Sequence, residues 1–235
     1  KEFHESGPRD NTKYINPSYL DNIENLDPSF IAEANALKRE DPVEYEIQYM
    51  GAFPALQDTI YSKPHKIFYN DPEDYDWIGI GGDFGFSDNP AAASLVFGSG
   101  NKIYARELLY EQGLTNQEIA ERIGVYSKLI NVWDSSEKKS IRELRLAGVN
   151  AYPAEKGPGS VIFGIKKLQE LTFYIHADSK NLLNEKKRYR WKKLTSGEYV
   201  RDSKGNRVPV KKQDHLLDGI RYVSSMLSGW QMNDE

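Results

Sequence analysis

The stretch WIGIGGDFGF, residues 77–86, is an apolar run that ends on a single carboxylate, Asp83, placed between glycines. Two more runs follow closely, AAASLVFGS at 91–99 and KIYARELLY at 102–110, and both are rich in residue types that favour strands. Short turns containing Gly, Asn, Asp and Pro separate the three runs. The pattern predicts an antiparallel meander of three strands, which would begin a larger sheet.

Helix and strand patterns alternate after this meander. Short apolar runs at 130–134, 149–155 and 172–177 predict strands, and the amphipathic segments between them predict helices. This order favours an α/β fold of the ribonuclease H-like type, with a mixed sheet and helices on both faces. A polar segment then predicts a basic β-hairpin, and a final amphipathic helix is expected over 213–230.

The chain is expected to consist of a helical linker arm at 1–65 and a ribonuclease H-like domain at 66–235. In the arm, Asp27-Pro28 and Asp41-Pro42 each combine a helix N-cap with proline at the first helical position. The 235 residues include no cysteine, which excludes disulfides and thiolate metal sites. No apolar run approaches the ~20 residues of a membrane span and the start has no secretory pattern, so a soluble cytoplasmic protein is expected.

Two acids stand at the ends of predicted strands. Asp83 ends the first meander strand, and Asp134 ends the strand at 130–134. In the predicted sheet these two strand ends lie side by side, so two carboxylates should meet beside an apolar core. Such charges are costly and repel each other unless a cation separates them. Carboxylate oxygens of this kind suit Mg²⁺ or Mn²⁺.

A third acid is expected from the last helix. Asp214 and Asp218 are four residues apart and project roughly opposite the apolar side of that helix. Asp218 lies inside the helix and is the candidate metal ligand, whereas Asp214 is explained by capping or by a supporting role behind the ligands. His215 is a candidate outer ligand or proton shuttle, or it is neither. The apolar stripe consists of Leu216, Ile220, Val223 and Leu227.

The hypothesis from these residues is a catalytic site for phosphodiester hydrolysis, formed by Asp83, Asp134 and Asp218 with two Mg²⁺ or Mn²⁺ ions. Two such ions supply activation of the attacking water and stabilisation of the leaving oxygen. The structural alternative is that the acids only shape the chain. In that case Asp83 opens a glycine-rich turn, and Asp134 caps the next helix through Ser135.

Positive charge is concentrated in one segment, although the formal net charge is −4. Residues 186–212 hold eleven Lys and Arg against two acids, which favours contact with DNA phosphates. A solvated charged hairpin would have the same composition. The turn at 157–159 leads into a helix and predicts a further phosphate contact through Lys156 and Ser160. The candidate DNA-binding residues of the basic segment are Arg188, Arg190, Lys192 and Lys193.

Several stretches carry a family resemblance. They are WDSSEKKSIRELRLAGVNAYPAEKGPGSVIFGIKKLQE at 133–170, NLLNEKKRYRWKK at 181–193 and QDHLLDGIRYV at 213–223. Over roughly residues 28–225 the chain resembles the C-terminal nuclease domain of tailed-bacteriophage terminase large subunits. The stretch IAEANALKREDPVEYEIQYMGAF at 31–53 resembles the segment that links the packaging ATPase to that nuclease.

The resemblance implies a metal-dependent endonuclease that cuts concatemeric double-stranded viral DNA during genome packaging. It places the family's acids on Asp83, Asp134 and Asp218, and its histidine on His215. Implied partners are double-stranded DNA, the terminase small subunit and the portal protein in the cytoplasm of a bacterial host, with the isolated domain a monomer. No GxxxxGK[ST] motif occurs, so this segment is expected to cut DNA without ATPase activity.

Two other functions stay open on the sequence alone. One is a ribonuclease H-like resolvase that acts on a different nucleic acid. The other is a non-catalytic DNA-binding or motor-docking domain, in which the acids serve only as helix caps. Comparing cleavage of duplex DNA with cleavage of an RNA–DNA hybrid distinguishes a DNA endonuclease from the resolvase. Cutting that depends on Asp83 and Asp134 distinguishes an enzyme from the non-catalytic domain.

Overall fold

A mixed sheet is the centre of the computed structural model, which describes residues 18–51, 58–85, 87–194 and 196–229. Its strands are β1 (Lys66–Phe68), β2 (Trp77–Asp83), β3 (Ala91–Ser99), β4 (Lys102–Glu111), β5 (Asn131–Trp133), β6 (Ala151–Pro153) and β7 (Thr172–His176). The α-helices are α1 (Pro28–Glu40), α2 (Pro42–Gln48), α3 (Asn116–Ile123), α4 (Lys138–Leu146), α5 (Ser160–Glu170), α6 (Lys180–Arg188) and α7 (His215–Leu227). Short 3-10 helices occur at Tyr19–Asn25 and Gly124–Lys128.

The strand order in the sheet is β1-β7-β4-β3-β2-β5-β6. β2, β3 and β4 pair antiparallel, whereas β5, β6, β7 and β1 are joined by parallel pairings. The predicted meander and mixed sheet are therefore confirmed. Strand β1 was not predicted, because three residues at the sheet edge are too short for a periodic pattern.

Helix caps follow the local sequence. Thr115 and Glu118 form a reciprocal capping box at the start of α3, as their spacing predicts. Asp27 accepts a hydrogen bond from the Ser29 backbone N–H at the start of α1. The amphipathic pattern of residues 115–130 predicts one helix, but α3 ends at Ile123 and a 3-10 helix continues the chain.

Helices cover both faces of the sheet. α7 packs against β2, β3 and β5, with Leu216, Ile220 and Val223 fully buried as the apolar stripe predicts. The opposite face of β2, marked by Ile80, packs in a core with buried residues of α3 and α4. Burial of each such side chain contributes roughly 1.5–3 kcal/mol, so the sheet and α7 are held together mainly by apolar contact.

α7 crosses β2 at an unusually close backbone contact between two glycines. A Cβ added at Gly81 would overlap the carbonyl group of Gly219. A Cβ at Gly219 would lie 2.7 Å from the carbonyl oxygen of Gly81. Any side chain at either position would force the helix away from the strand. The contact lies two residues before Asp83 and one residue after Asp218, so it sets the distance between the elements that carry these acids.

The described residues separate into two compact units, one drawn from the spans 56–190 and 209–235 and the other from the spans 1–55 and 191–208. The first unit holds the sheet and α3 to α7. The second includes α1 and α2, where Tyr19, Phe30, Tyr45 and Tyr49 form a cluster of ring contacts. The domain boundary at residue 65 stays a prediction.

The predicted basic hairpin is present as two successive hairpins. Backbone bridges pair Lys193 with Tyr199, and Arg201 with Arg207. The Gly197 N–H donates a backbone hydrogen bond to the Leu194 carbonyl, and the Gly205 N–H donates one to the Asp202 carbonyl. Along the described residues, no helix has the length and apolar character needed to cross a membrane.

The contact between Gly81 and Gly219 predicts how much stability different glycine-to-alanine variants lose. Gly219→Ala should lower the free energy of unfolding by about 1–3 kcal/mol, because its methyl group would lie 2.7 Å from the Gly81 carbonyl oxygen. Gly81→Ala should lower it by more, because its methyl group would overlap the Gly219 carbonyl group more deeply. Gly79→Ala on the same strand is the comparison and should cost less than Gly81→Ala, since its methyl would meet mainly the side-chain ends of Leu227 and Val223. Urea unfolding measures all three, and parental stability in both test variants would contradict the account.

Candidate active site

Asp83 and Asp134 are neighbours because β2 and β5 are parallel and adjacent. Gly82 and Trp133 are register partners, and each is followed directly by one of the two acids. Burial is the main cause of the raised pKa of Asp83, and the nearby charges of Asp218 on α7 and of Asp134 add to it. The predicted side-by-side placement of these strand ends is confirmed, and the third acid approaches them from the helix.

Asp83 forms a pair with His215. The imidazole Nδ1 donates to Asp83 Oδ2 at 2.8 Å. Burial raises the pKa of Asp83, and the nearby charges of Asp218 and Asp134 raise it further against the opposing effect of His215. Burial alone would lower the pKa of His215, but the hydrogen bond and charge of Asp83 outweigh it and raise that pKa. Each partner thus favours the charged form of the other.

Asp134 is tied to a turn and to a lysine. Its Oδ1 accepts hydrogen bonds from the backbone N and Oγ of Ser136, each at 2.7 Å, and Lys156 Nζ lies 2.6 Å from its Oδ2. Burial opposes ionisation, yet these donors lower the pKa of Asp134 to about 2. The alternative that Asp134 only shapes the chain is thus partly correct. Asp134 accepts hydrogen bonds from Ser136, two residues on, and not from Ser135, so it stabilises a turn.

Asp218 interacts with two residues of its own helix. Arg221 Nη2 lies 2.7 Å from Asp218 Oδ1. The Tyr222 hydroxyl lies 3.3 Å from Asp218 Oδ2 and 3.3 Å from Asp134 Oδ2. One phenolic hydrogen can be donated to only one of them at a time, so Tyr222 connects the acid of the helix with the acid of β5.

Asp214 occupies the N-cap position of α7, but its side chain makes no capping hydrogen bond. Its backbone carbonyl accepts from the Asp218 N–H at 2.7 Å. Burial raises the pKa of Asp214 to about 7, assisted by the charges of Asp218 and Asp83. The side chain therefore belongs to the acidic cluster by its electrostatics, and the predicted capping role is limited to the backbone.

A different protein cation pairs with each of the three acids, namely His215, Lys156 and Arg221. In the part of the chain that the structure describes, no three acidic or histidine side chains are gathered closely enough to hold a metal ion as they stand. The donor chemistry fits a hard divalent cation, since carboxylate oxygens dominate it. An added cation would also relieve the repulsion that the charges of Asp218 and Asp134 exert on the buried Asp83 carboxylate.

The predicted phosphate-binding turn lies next to this cluster. Lys156 reaches Asp134, as described above, and its Nζ lies 5.2 Å from the centre of the Tyr222 ring. Ser160 begins α5, and its Oγ accepts a hydrogen bond from the Gly157 N–H at 3.4 Å. Contacts of Lys156 and Ser160 with DNA stay predictions.

The candidate residues of the basic segment differ in their availability. Arg188 Nη1 donates to Gln213 Oε1 at 2.9 Å, beside the start of α7. Arg190 is only 4% exposed, so the prediction that it contacts DNA is not supported: a buried guanidinium does not reach phosphates. Lys192 and Lys193 belong to the other unit, where Lys193 Nζ lies 4.9 Å from the Tyr199 ring centre. Their DNA contacts stay predictions.

Several residues that shape the site were not predicted from the sequence. Arg221 and Tyr222 stand three and four positions after Asp218, so helical spacing could have indicated both. Glu185 of α6 accepts hydrogen bonds from the backbone N–H groups of Leu216 and Leu217. No local pattern could have found Glu185, because it lies about thirty positions before the helix that it contacts.

The fold and the site define a class of protein: a ribonuclease H-like α/β domain in which Asp83, Asp134 and Asp218 converge where β2, β5 and α7 meet. The family described as the terminase RNAseH-like domain matches residues 83–225, and the chain belongs to this family. The resemblance inferred from the sequence is thereby confirmed.

Known relatives agree with this assignment. The chain is 29% identical over 239 residues to the terminase large subunit of Bacillus phage SPP1, covering 95% of this chain and 54% of that protein. The chain therefore spans about half the length of this curated relative. The crystal structure of the SPP1 large terminase nuclease domain with bound Mn superposes with a TM-score of 0.58 at 26% identity, covering 72% of this chain and 98% of the other.

Two more distant structures support the fold alone. The large terminase of a thermophilic bacteriophage matches with a TM-score of 0.56 at 19% identity, covering 86% of this chain and 52% of that one. The P22 large terminase nuclease domain matches with a TM-score of 0.55 at 19% identity, covering 72% of this chain and 91% of that one.

The Asp214 carboxyl gives a pH-dependent prediction. Its pKa is raised on folding, so the folded state binds a proton more tightly, and stability is lost as the pH rises from about 4 through about 7. Asp214→Asn removes this loss. Its stability relative to the parent should increase by about 1–3 kcal/mol between pH 5 and pH 8 in urea unfolding. Asp88→Asn, which replaces an exposed acid, is the control. The prediction is refuted if the stability of Asp214→Asn relative to the parent is the same at pH 5 and pH 8.

Proposed function

We propose that this chain is a metal-dependent DNA endonuclease that cuts concatemeric double-stranded viral DNA during genome packaging. The observation that carries the proposal is the convergence of Asp83, Asp134 and Asp218 from three separate elements. Membership of the terminase RNAseH-like family supports this choice over other chemistry for a carboxylate cluster.

The three acids would hold the metal in this proposal, and the 26% identical SPP1 nuclease domain, whose structure contains Mn, supports a divalent ion. Two Mg²⁺ or Mn²⁺ ions, when bound, would supply a water nucleophile at neutral pH and neutralise charge on the phosphate. His215 orients Asp83 through Nδ1, and Tyr222 aligns Asp134 with Asp218. Lys156, at 2.6 Å from Asp134, is placed to move from that carboxylate to a substrate phosphate.

The non-catalytic domain and the resolvase explain the observations less well than a DNA endonuclease does. A non-catalytic docking domain leaves unexplained why Asp83, Asp134 and Asp218 are gathered at a buried junction, since only Asp134 shapes a turn there. A resolvase that acts on a different nucleic acid would use the same cluster, but it has no support from the family to which this chain belongs.

The wider assembly also belongs to the proposal. Double-stranded DNA is the proposed substrate, and the terminase small subunit and the portal protein are the proposed partners, in the cytoplasm of a bacterial host. The isolated domain is proposed to be a monomer, and residues 1–65 are proposed to link it to a packaging ATPase. The support is the match to the terminase large subunit of SPP1, of which this chain covers about half.

Plasmid cleavage tests the enzyme. With Mn²⁺ the parent should nick and linearise supercoiled plasmid, whereas Asp83→Asn and Asp134→Asn should each cut slower by on the order of 100-fold or more, because each loses a carboxylate that would hold the metal ions. Asp178→Asn, whose side chain is 93% exposed, is the control with unchanged cutting. Test variants that fold normally and cut at the parental rate would eliminate the catalytic hypothesis, and preferential cutting of an RNA–DNA hybrid would favour the alternative.

Salt dependence tests the basic segment. The double variant Lys192→Ala/Lys193→Ala should bind duplex DNA more weakly, and its plot of log affinity against log salt should be flatter by roughly 1–2, because fewer counterions are released. Lys139→Ala on α4, with an 89% exposed side chain, controls for the loss of a cation elsewhere. Fluorescence anisotropy between 50 and 300 mM salt, roughly the range in which such contacts weaken, provides the measurement. An unchanged slope in the double variant would count against DNA contact by this segment.

A further inference from the structure

A buried carboxyl group from another helix caps the helix that carries His215 and Asp218. Glu185, on α6, is 2% exposed. Its Oε2 accepts hydrogen bonds from the backbone N of Leu216 at 3.0 Å and from that of Leu217 at 3.1 Å. These N–H groups are in the first turn of α7, where no carbonyl of the helix itself can accept them.

The helix depends on Glu185 because its own N-cap side chain does not fill this role. Asp214 occupies the cap position without a side-chain capping bond, and its side chain interacts with the acidic cluster. Glu185 therefore satisfies donors that a local Ser, Thr or Asp usually accepts. The two hydrogen bonds fix the first turn of α7, and His215 and Asp218 lie on either side of the bonded residues.

Glu185 is itself held by a second cap of the same kind. Glu107 on β4 accepts hydrogen bonds from the backbone N of Asn181 at 3.0 Å and from that of Leu182 at 3.2 Å, in the first turn of α6. The Ser179 Oγ accepts the Glu107 N–H at 2.9 Å. Two carboxyl caps in series thus connect the sheet to α6, and α6 to α7. This connection gives Glu185 a fixed position from which to hold the next helix.

Keeping a carboxyl group at this place is costly. Burial raises the pKa of Glu185 to about 9, although the two backbone donors act in the opposite direction. An apolar side chain would avoid that cost but would leave two buried N–H groups without an acceptor. A glutamine has nearly the same shape and an oxygen that can accept both hydrogen bonds, so it is the conservative variant.

We propose that Glu185 is a positioning residue for the nuclease site: by capping α7 it places His215 and Asp218, and it thereby sets metal affinity and the rate of cleavage. This inference rests on the proposed function, because it assigns Glu185 a role in the same site. Glu185 touches neither the three acids nor the substrate in this account. Its effect is transmitted through the backbone of the first turn of α7.

The test compares Mn²⁺ affinity with stability in the same proteins. Glu185→Ala should weaken Mn²⁺ binding by on the order of 10-fold or more, the range found when supporting hydrogen bonds behind metal ligands are removed. Glu185→Asp should weaken it as well, because the shorter side chain withdraws the acceptor. Glu185→Gln should restore the parental affinity. Electron paramagnetic resonance of unbound Mn²⁺ measures affinity, thermal unfolding measures stability, and plasmid cleavage gives the rate.

Ile119→Ala on α3 is the matched control, because Ile119 is buried in the same unit on a helix that carries none of the site residues. It should lose thermal stability and keep Mn²⁺ affinity. Equal weakening of affinity by Ile119→Ala would mean that general destabilisation explains the effect, and the inference fails. Parental affinity in both Glu185→Asp and Glu185→Ala would overturn it too. If Glu185→Ala does not fold, Glu185→Met compared with Glu185→Gln decides the question, because the two side chains are similar in size and only glutamine has an oxygen acceptor.

Measurements on the parent protein distinguish failure of the proposed function from failure of the role assigned to Glu185. A parent that neither binds Mn²⁺ nor cuts plasmid refutes the proposed function, and this inference with it. A parent that binds and cuts, combined with Glu185 variants that do so equally well, refutes only the role of Glu185. Weakened Mn²⁺ binding in Glu185→Met, a side chain of similar length that offers the two N–H groups no oxygen acceptor, with parental binding in Glu185→Gln supports the role, because both variants fill the space and only glutamine keeps the hydrogen bonds.

Discussion

The acidic site depends on the contact between the backbones of Gly81 and Gly219. A sheet and a helix that pack through ordinary side chains are separated by the thickness of those side chains, and carboxylates on them would point past one another. Here neither residue has a side chain, so α7 approaches β2 until the peptide groups touch. Asp83 and Asp218 are near neighbours of this contact in the chain. Burial is the main reason that the pKa of Asp83 is raised, and the charge of Asp218 adds to it.

Several layers of the structure hold this repulsive arrangement together. The apolar stripe of α7 supplies most of the attraction, since Leu216, Ile220 and Val223 are fully buried against the sheet. Protein cations offset the charge of the acids, and Glu185 satisfies the backbone at the start of the helix. Packing energy therefore sustains an electrostatically unfavourable cluster, as is common at sites that act on charged substrates.

The sequence predicted what depends on local pattern and on the order of elements. Alternating and apolar runs gave the meander, and the order of strands and helices implied that β2 and β5 are neighbours, which brings Asp83 and Asp134 together. Helical periodicity separated Asp218 from the apolar face. The burial of Arg190 and the cap from Glu185 depend on contacts between segments far apart in the chain, which periodicity does not encode. The contact between Gly81 and Gly219 could not be predicted for the same reason. A glycine allows unusual backbone conformations and close approach, but the sequence does not show which segment packs against it.

The three cation partners of the acids differ in how easily they can leave. Arg221 is 5% exposed and bound within its own helix, and His215 is largely enclosed, whereas the Lys156 side chain is 38% exposed and lies on a segment outside the helices. An ammonium group on a flexible stem exchanges its partner for water more readily than a buried guanidinium does. The cluster is consequently asymmetric: the cation paired with Asp134 can leave readily, whereas those paired with Asp83 and Asp218 are held in place. Asp134 is therefore the acid whose protein cation is released most readily, although its side chain is no more exposed than those of Asp83 and Asp218.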